Sequence, residues 1–308
     1  MRACGRGRGV ALCSALAADV LIGDPEHPWH PTAVAGRALA SAYGPWRGRR
    51  PVAQLVGGTF ALALVAGAAG AAAAVLERSL RRIPAGAVAL GIALKPTFAV
   101  RELLAAGGAV ADALEADNLD TARTRVGMIV SRPTERLRPD ELAAAAIESL
   151  AENLGDSIVG PLLAFAVAGL PGAAIYRVVN TADSMYGYHD EREWLGKSAA
   201  HVDDLLNLVP SRVSMLALAA AALISGRADA ASAMATARRD HGRLASPNAG
   251  WPIAAMSGAL GRRLEKPGHY AVGEDRPTPG PEDVRRASAI VATAAALLMV
   301  ALVGVVAC

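Results

Sequence analysis

Charged residues are scarce in this chain of 308 residues, because Asp, Glu, Lys and Arg together make up only 19% of it. A soluble domain usually carries about 25% charged residues. Hydrophobic residues reach 53% and the mean hydropathy is +0.31. Intrinsic disorder needs the opposite composition, with low hydrophobicity and high charge. The composition therefore excludes a disordered chain, argues against an ordinary soluble enzyme and favours a membrane protein.

Aromatic residues and cysteines are also few. Aromatics make up 4% of the chain, and the three cysteines, Cys4, Cys13 and Cys308, lie near its two ends. Their spacing predicts neither a zinc site nor a disulfide framework. No block of Lys and Arg with interleaved aromatics indicates a nucleic-acid partner. The abundant alanine favours helices that pack closely, in membranes especially.

Familiar nucleotide and protease motifs are absent as well. The string GKS at 196–198 resembles the end of a P-loop, but the motif requires glycine where Glu191 stands. The sequence contains no GxGxxG, GxSxG or HExxH pattern.

Long runs without charge are what the sequence does contain. A membrane-spanning helix needs about 20 apolar residues. Three runs qualify or come close: 51–76, 157–176 (with Pro161 and Pro171 inside it) and 287–308. Three weaker runs are 9–18, 83–94 (extended to 100 across Lys95) and 213–226. We predict an all-α, polytopic integral membrane helical bundle with about four to six membrane segments, built as one catalytic domain over 1–308 and located in the cell membrane.

The first 22 residues resemble a signal peptide, with a basic start and an apolar run. No small-residue cleavage site follows, and Asp19 and Asp24 crowd the end of the run. We interpret this region as a retained first membrane segment. The Lys and Arg distribution gives contradictory indications of orientation.

Polar regions separate these runs, at 23–50, 101–156, 177–212 and 227–286. Residues 101–126 and 139–153 have amphipathic helical patterns, and the proline-containing stretch 131–139 breaks the helix between them.

The densest polar region, 176–212, contains carboxylates and amides at helical spacing. Asn180 and Asp183 are three residues apart, and Asn207 follows Asp203 by four and Asp204 by three, so each pair shares a helix face. Carboxylate and amide oxygens suit Mg²⁺ shared with substrate phosphates. The alternative explanation of the same spacing is a solvated amphipathic segment without a metal site.

A second constellation places Glu148, Glu152 and Asp156 at i, i+4 and i+8. On one helix face these carboxylates destabilise each other unless a cation, an arginine or solvent compensates them. The alternative is a wet, acidic helix face.

Two loops complete the candidates. In SPNAGWP (246–252), Asn248 and Gly250 favour a tight turn whose N–H groups cradle an anion, or an ordinary loop. In GDPEHPWHP (23–31), His27 and His30 are three residues apart, but the prolines exclude a regular helix. We interpret the second loop as rigid and lying at the membrane surface, and only weakly as a metal site.

Five ordered motifs carry a family resemblance. They are DVLIGDPEHPWHPTAVAGR (19–37), ESLAEN..D....PL (148–162), YR.VNT.DSM.GY (176–188), AA..DDLLN..P.R (199–212) and SPNAGWP.AAM.GAL (246–260). From about residue 10 to the C-terminus the chain resembles the adenosylcobinamide-phosphate synthase family, the CobD/CbiB membrane proteins of cobalamin biosynthesis. Two departures stand out: Pro133 replaces an acid of a Gly-Arg-Asp-Thr string, and Ile253 replaces a frequent Glu.

The resemblance implies a C–N ligase. It implies ATP-dependent amide coupling of (R)-1-amino-2-propanol or its O-phosphate to the f-position propionate of adenosylcobyric acid, with Mg²⁺. The implied partners are these substrates, membrane lipid and no nucleic acid, and association with other membrane enzymes of late cobalamin biosynthesis is compatible with it. Alternatives are a corrinoid-binding or transport protein without ligase activity and a structural membrane subunit.

Site roles follow as hypotheses from the chemistry of amide activation. The candidate catalytic residues are Glu148, Glu152, Asp183, Asp203 and Asp204. The candidate Mg²⁺ ligands are Glu152, Asp156, Asp183 and Asp204. The candidate substrate and phosphate contacts are Arg177, Asn180, Lys197, Asn207, Arg212, Asn248 and Trp251. Tyr188 and Trp194 offer additional flat surface for a corrin.

Overall fold

A computed structural model describes residues 2–24, 27–187, 193–226 and 228–307. In order along the chain, the described helices and strands are α1 (Arg2–Ile22), α2 (Pro31–Tyr43), α3 (Pro51–Leu80), α4 (Gly86–Leu94), α5 (Val100–Glu115), α6 (Leu119–Gly127), α7 (Pro139–Leu154), α8 (Gly160–Tyr186), α9 (Glu193–Ser225), α10 (Ala230–Asp240), α11 (Gly250–Leu260), β1 (Leu264–Lys266), β2 (Tyr270–Val272) and α12 (Pro281–Ala307). The all-α prediction is confirmed, since the strands form only one short hairpin. Tyr188 and the position of Glu191 lie outside the described residues.

Four helical segments are long and apolar enough to cross a membrane: Pro51–Leu80, Pro139–Tyr186, Glu193–Ser225 and Pro281–Val306. They confirm a helical membrane protein: the first two contain the predicted runs 51–76 and 157–176, and the fourth contains the predicted run 287–308 as far as residue 306. The weak run 213–226 is the end of the third segment. The 21-residue helix α1 is not among these four segments, because Arg6 and Arg8 near its start lower its hydropathy, so a first membrane segment there stays a prediction.

The chain folds into two compact units, each assembled from separate stretches of sequence. The first unit contains residues 1–99, 160–207 and 301–308, and the second contains residues 100–159 and 208–300. The first unit therefore holds α1–α4, α8 and the start of α9. The second holds α5–α7, the rest of α9, α10, α11, the hairpin and most of α12.

In the first unit, α3 packs along α8 because small residues allow close approach. A Cβ on Gly70 would lie 2.8 Å from the Ile175 side chain. α8 is broken at Gly169, whose φ of 69° is disfavoured for other residues. The break frees the backbone N–H of Leu170, and the buried Glu77 of α3 accepts it over 2.8 Å. The interruption that the sequence predicted in run 157–176 thus has its own partner on α3.

In the second unit, α7 is the central helix, with a continuously buried run from Leu142 to Ala151. After Leu154 the hydrogen bonding becomes π-helical over Gly155–Val159. The predicted break at 131–139 is confirmed, since α6 ends at Gly127 and α7 begins at Pro139. The predicted helix over 101–126 is two helices, with Asn118 capping the second through Thr121.

The polar region 177–212 is mostly helical and not a loop between spans. Its first part completes α8 to Tyr186, and its last part forms the N-terminal two thirds of α9. The acidic and amide side chains predicted for this region therefore have fixed helical positions, which is the condition for the spacing argument to apply.

Candidate functional site

A hydrogen-bonded polar cluster of the first unit surrounds Asp203, which is 9% exposed. Its Oδ2 accepts the amide of Asn207 over 2.9 Å, and its Oδ1 accepts the amide of Asn180 over 3.5 Å. Tyr176 donates its hydroxyl to Asn207 Oδ1 over 2.6 Å. The predicted pairing of Asp203 with Asn207 at i,i+4 is therefore present, and α8 supplies the other two members.

Asp183 and Asp204 belong to the same cluster. Both carboxylates lie close enough to Asp203 to repel its charge. Asp183 also faces Tyr43, whose ring stacks on that of Tyr186 with centroids 4.3 Å apart. Burial, and then the charges of Tyr186 and Asp183, raise the pKa of Tyr43 above its usual value. Asp183 thus lies between the buried Asp203 and the stacked tyrosine pair in its electrostatic influence.

Whether this cluster fits Mg²⁺ depends on its free lone pairs. Each oxygen of Asp203 accepts one amide donor and retains another acceptor site. Among the described residues, no three His, Cys, Asp or Glu side chains lie close enough to hold a metal alone. Mg²⁺ commonly needs only one or two carboxylates when phosphates supply other oxygens. The cluster therefore offers carboxylate oxygens of the kind that Mg²⁺ takes, and Mg²⁺ binding here stays a prediction.

Lys197 and Arg177, the predicted phosphate contacts of the first unit, have different surroundings. The Lys197 ammonium lies 4.4 Å from the centre of the Trp194 ring, a cation–π contact. Arg177 lies on α8 next to Tyr176 and lines two cavities near the loop that precedes α2. The two cations therefore do not share one local environment.

A buried ion cluster in the first unit escaped sequence reasoning. The Lys95 ammonium lies 3.1 Å from a carboxylate oxygen of Asp19 and 3.1 Å from one of Asp24. His30 Nε2 approaches the same Asp24 oxygen at 2.9 Å. Asp19 is fully buried and Lys95 is 6% exposed. A signal was available, because a lysine interrupts one apolar run and two aspartates end another.

In the second unit, Glu148 is buried against an arginine that the sequence did not single out. Arg132 donates Nη2 to Glu148 Oε2 over 2.9 Å, and both side chains are largely buried. Tyr270 from β2 also reaches the Glu148 carboxylate, and burial and that charge raise the pKa of Tyr270. Arg132 lies in the string 131–134, which the sequence analysis considered only for the acid that Pro133 replaces.

Glu152 and Asp156 differ from Glu148. Glu148 is buried, whereas Glu152 is exposed and Asp156 is half-buried. π-helical hydrogen bonding starts at Gly155, so the helix is no longer regularly α-helical at Asp156. Arg132 supplies the arginine that the sequence required to compensate the buried Glu148, and the shared helix face of the three acids stays a prediction.

The SPNAGWP turn packs on α9. Arg212 donates to Asn248 Oδ1 over 3.0 Å and lies 5.1 Å from the centre of the Trp251 ring, and His241 stacks on Trp251 at 3.8 Å. The Ser246 hydroxyl accepts the backbone N–H groups of Asn248 and Ala249 at 3.3 and 3.2 Å. The predicted anion cradle is therefore wrong for these two N–H groups, which have an internal acceptor. Gly250 makes the predicted close approach, since a Cβ there would lie 2.0 Å from His241 O.

The predicted site residues thus form two sets. Asn180, Asp183, Asp203, Asp204 and Asn207 gather in the first unit, and Arg212, Asn248 and Trp251 gather in the second. The convergence of Glu152, Asp183, Asp204 and Asn248 on one pocket joins residues of both units and stays a prediction.

Comparison with known proteins gives one consistent result. The profile of the CobD/Cbib protein family matches residues 12–299. "Cobalamin biosynthesis protein CobD" of Dehalococcoides mccartyi is 39% identical over 267 residues, covering 85% of both chains. "Probable cobalamin biosynthesis protein CobD" of Thermoplasma volcanium is 36% identical, covering 91% of both. "Cobalamin biosynthesis protein CobD" of Rhodobacter capsulatus is 38% identical, covering 94% of this chain and 96% of its own. No solved structure matches the chain significantly.

The match extends over nearly the whole chain and includes both units, so it does not rest on one motif or one helix. With identities of 36–39% to several relatives, it supports a role in cobalamin biosynthesis and a corrinoid-related substrate. The chain therefore belongs to the CobD/Cbib family.

Proposed function

We propose that this protein is an adenosylcobinamide-phosphate synthase of the cell membrane. It joins the f-position propionate of adenosylcobyric acid to (R)-1-amino-2-propanol or its O-phosphate through an amide bond, with ATP as the energy source. The observation that carries the proposal is the family match over residues 12–299. The two polar clusters on membrane-type helices support it.

Amide formation from a carboxylate in water requires activation, and transfer of a phosphoryl group from ATP to that carboxylate is the simplest route. The amine then displaces phosphate, so that the products are the amide, ADP and inorganic phosphate. Both reactants carry negative charge, so the chemistry needs fixed positive charge and orientation. Mg²⁺ bound with the nucleotide would supply part of that charge.

The first unit offers the groups for that ion. Asp183 and Asp204 would bind Mg²⁺ together with the phosphates, and Glu152 is a separate candidate ligand in the second unit. Asp203 holds Asn180 and Asn207 in place through its two oxygens. In this assignment Asp203 positions the amides, and the amides orient the substrate.

The second unit offers a cation and an aromatic surface. Arg212 Nη1 already donates to three neutral oxygens, on Leu208, Ser211 and Asn248, and the guanidinium has further N–H donors for phosphate. Trp251 provides an apolar face. Glu148, which is paired with Arg132, orders the unit and does not meet substrate in this assignment.

The test is a reconstituted assay of the purified protein in nanodiscs with adenosylcobyric acid, either amine and Mg²⁺, with and without ATP. We expect the amide product and ADP in equal amounts, and only when all substrates are present. Corrinoid binding without ATP-dependent product would instead support the alternative, a corrinoid-binding or transport protein.

Two isosteric variants test the proposed Mg²⁺ ligands. Glu152→Gln and Asp183→Asn should leave the protein folded in the membrane, abolish product formation and weaken the apparent Mg²⁺ affinity. The matched control is Asp120→Asn, because the Asp120 side chain is 97% exposed on α6. Mg²⁺ titrations of the two variants that match those of the control would show that these acids are structural.

A further inference from the structure

Two adjoining cavities of the first unit share the residues Thr32 and Arg177. One cavity, of about 590 Å³, has almost entirely apolar walls from α2, α3 and α8. The other, of about 620 Å³, is lined by the loop before α2 and contains Asp24, His27 and His30. The shared residues place a polar site directly beside an apolar one.

Small side chains create the apolar cavity. Ala68, Ala69, Ala72 and Ala73 repeat along one side of α3 at helical spacing and line it. Replacing an alanine by a larger residue there would fill the space without touching the polar cavity. A cavity of this size is in the range of small-molecule sites and is larger than a small phosphate ester requires.

The polar cavity presents His27 as a hydrogen-bond donor. The backbone N–H of Trp29 donates to His27 Nδ1 over 3.1 Å. A backbone N–H can only donate, so Nδ1 carries the lone pair and the neutral ring carries its proton on Nε2. His27 is therefore set to donate to an acceptor, and unsuited to act as a base through Nε2.

The acid in this cavity is already compensated. Asp24 faces the Lys95 ammonium at 3.1 Å and His30 Nε2 at 2.9 Å. His30 Nδ1 accepts the N–H of Thr32 over 3.3 Å, which fixes the orientation of the ring beside Asp24. An anion that enters the cavity therefore meets a neutralised carboxylate and not a free one.

Arg177 supplies the permanent positive charge at the junction of the two cavities. A guanidinium has five N–H donors and binds carboxylates bidentately, so it serves more than one partner at once. With His27 it forms a donor pair for one oxyanion, next to the apolar wall.

From this juxtaposition we propose that His27 and Arg177 bind the free carboxylate of the corrinoid substrate while the alanine-lined cavity holds the adjoining edge of the macrocycle. The inference rests on the proposed function for the identity of the acid. The apolar wall formed by three helices next to a single oxyanion site favours this occupant over a free phosphate. Membership of a family of cobalamin biosynthesis favours it over a lipid.

The test compares the binding of two ligands that differ only at this group: cobyric acid and the same corrinoid with that carboxylate converted to its primary amide. Wild-type protein in nanodiscs of neutral lipid should bind the acid roughly 10- to 100-fold more tightly, the effect of a charge-assisted hydrogen bond. His27→Phe and Arg177→Gln should reduce this ratio to near one and leave the affinity for the amide unchanged.

A filling variant tests the apolar half separately. Ala72→Leu should weaken the binding of acid and amide by the same factor. Arg82→Gln, which removes an exposed arginine after α3, should change neither and serves as the control. These expected results differ from those of general misfolding, because misfolding would lower the affinity for both the acid and the amide in every variant.

Several results would overturn the inference. Unchanged discrimination in both donor variants would do so, as would full competition by inorganic phosphate, which would indicate a phosphate site. Displacement of the corrinoid by phosphatidylglycerol in wild type but not in Ala72→Leu would indicate a lipid site. If wild-type protein forms product and the ratio of acid to amide affinity is unchanged in the two donor variants, only this inference fails. If that ratio falls to near one in the variants but wild-type protein forms no product, only the ligase proposal fails.

Discussion

Arg132→Met should be among the most destabilising single substitutions in the second unit. The Arg132 guanidinium lies 2.9 Å from Glu148 Oε2, and the two side chains are only 12% and 8% exposed. Methionine retains much of the apolar volume and removes the charge. Glu148 would then be a buried carboxylate without its arginine, close to the Tyr270 hydroxyl.

The expected cost follows from the burial. Removing one partner of a buried ion pair costs about 3–5 kcal/mol of the free energy of unfolding. At about 2–4 °C per kcal/mol, the melting temperature should fall by about 6–20 °C. The double variant Arg132→Met/Glu148→Gln should recover part of this loss, because the second change removes the uncompensated charge.

The assay is thermal unfolding of the purified protein in one detergent, followed by intrinsic fluorescence. Arg138→Met is the matched control, because this arginine of the same connection is 69% exposed and pairs with Asp140. Its loss should cost about 1 kcal/mol or less. The reasoning would be refuted if Arg132→Met and Arg138→Met had equal melting temperatures. It would also be refuted if the double variant were no more stable than the sum of the two single changes predicts.

Two further predictions concern other contacts. Asp240→Asn should destabilise the second unit between pH 5 and 8: Arg239 holds the pKa of Asp240 below its usual value, and its carboxylate also accepts Gly273 N–H over 3.0 Å. The stability difference from wild type should begin to shrink as the pH falls below about 4 and be lost as it falls through the lowered pKa of the folded state; pH-dependent melting checks this, and a constant difference down to pH 2 contradicts it. Gly160→Ala should lower the melting temperature, because its Cβ would lie 2.0 Å from the Tyr176 hydroxyl; an unchanged melting temperature would show that the tyrosine yields freely.

Much of the helical fold could be predicted from the sequence because long runs without charge are a local signal. Run 51–76 lies within α3, and run 287–308 lies within α12 as far as residue 307. The ends were harder to predict. The charge pattern placed the end of α3 just before Glu77. α3 continues past that residue, because the Glu77 carboxylate is buried and accepts the Leu170 N–H. A tertiary contact thus decides where the charge is tolerated.

Local spacing also predicted part of the candidate site. Asp203 and Asn207 are four residues apart on α9 and form the expected hydrogen bond. Glu148 and Arg132 are sixteen residues apart, with the break at 131–139 between them, and no helical period connects them. The π-helical stretch that begins at Gly155 gave no signal in the composition either.

The ion cluster at Lys95 shows how a nonlocal contact leaves a trace in composition. Lys95 interrupts one apolar run, and Asp19 and Asp24 end another; each looks like an isolated defect in its own segment. A buried charge costs several kcal/mol unless an opposite charge compensates it. Two apolar segments with defects of opposite sign are therefore stable when they pack together, as α1 and α4 do where Gly91 allows the approach of Ala11. The same reasoning links the ends of these segments to the loop with His27, since Asp24 belongs to both the cluster and the cavity.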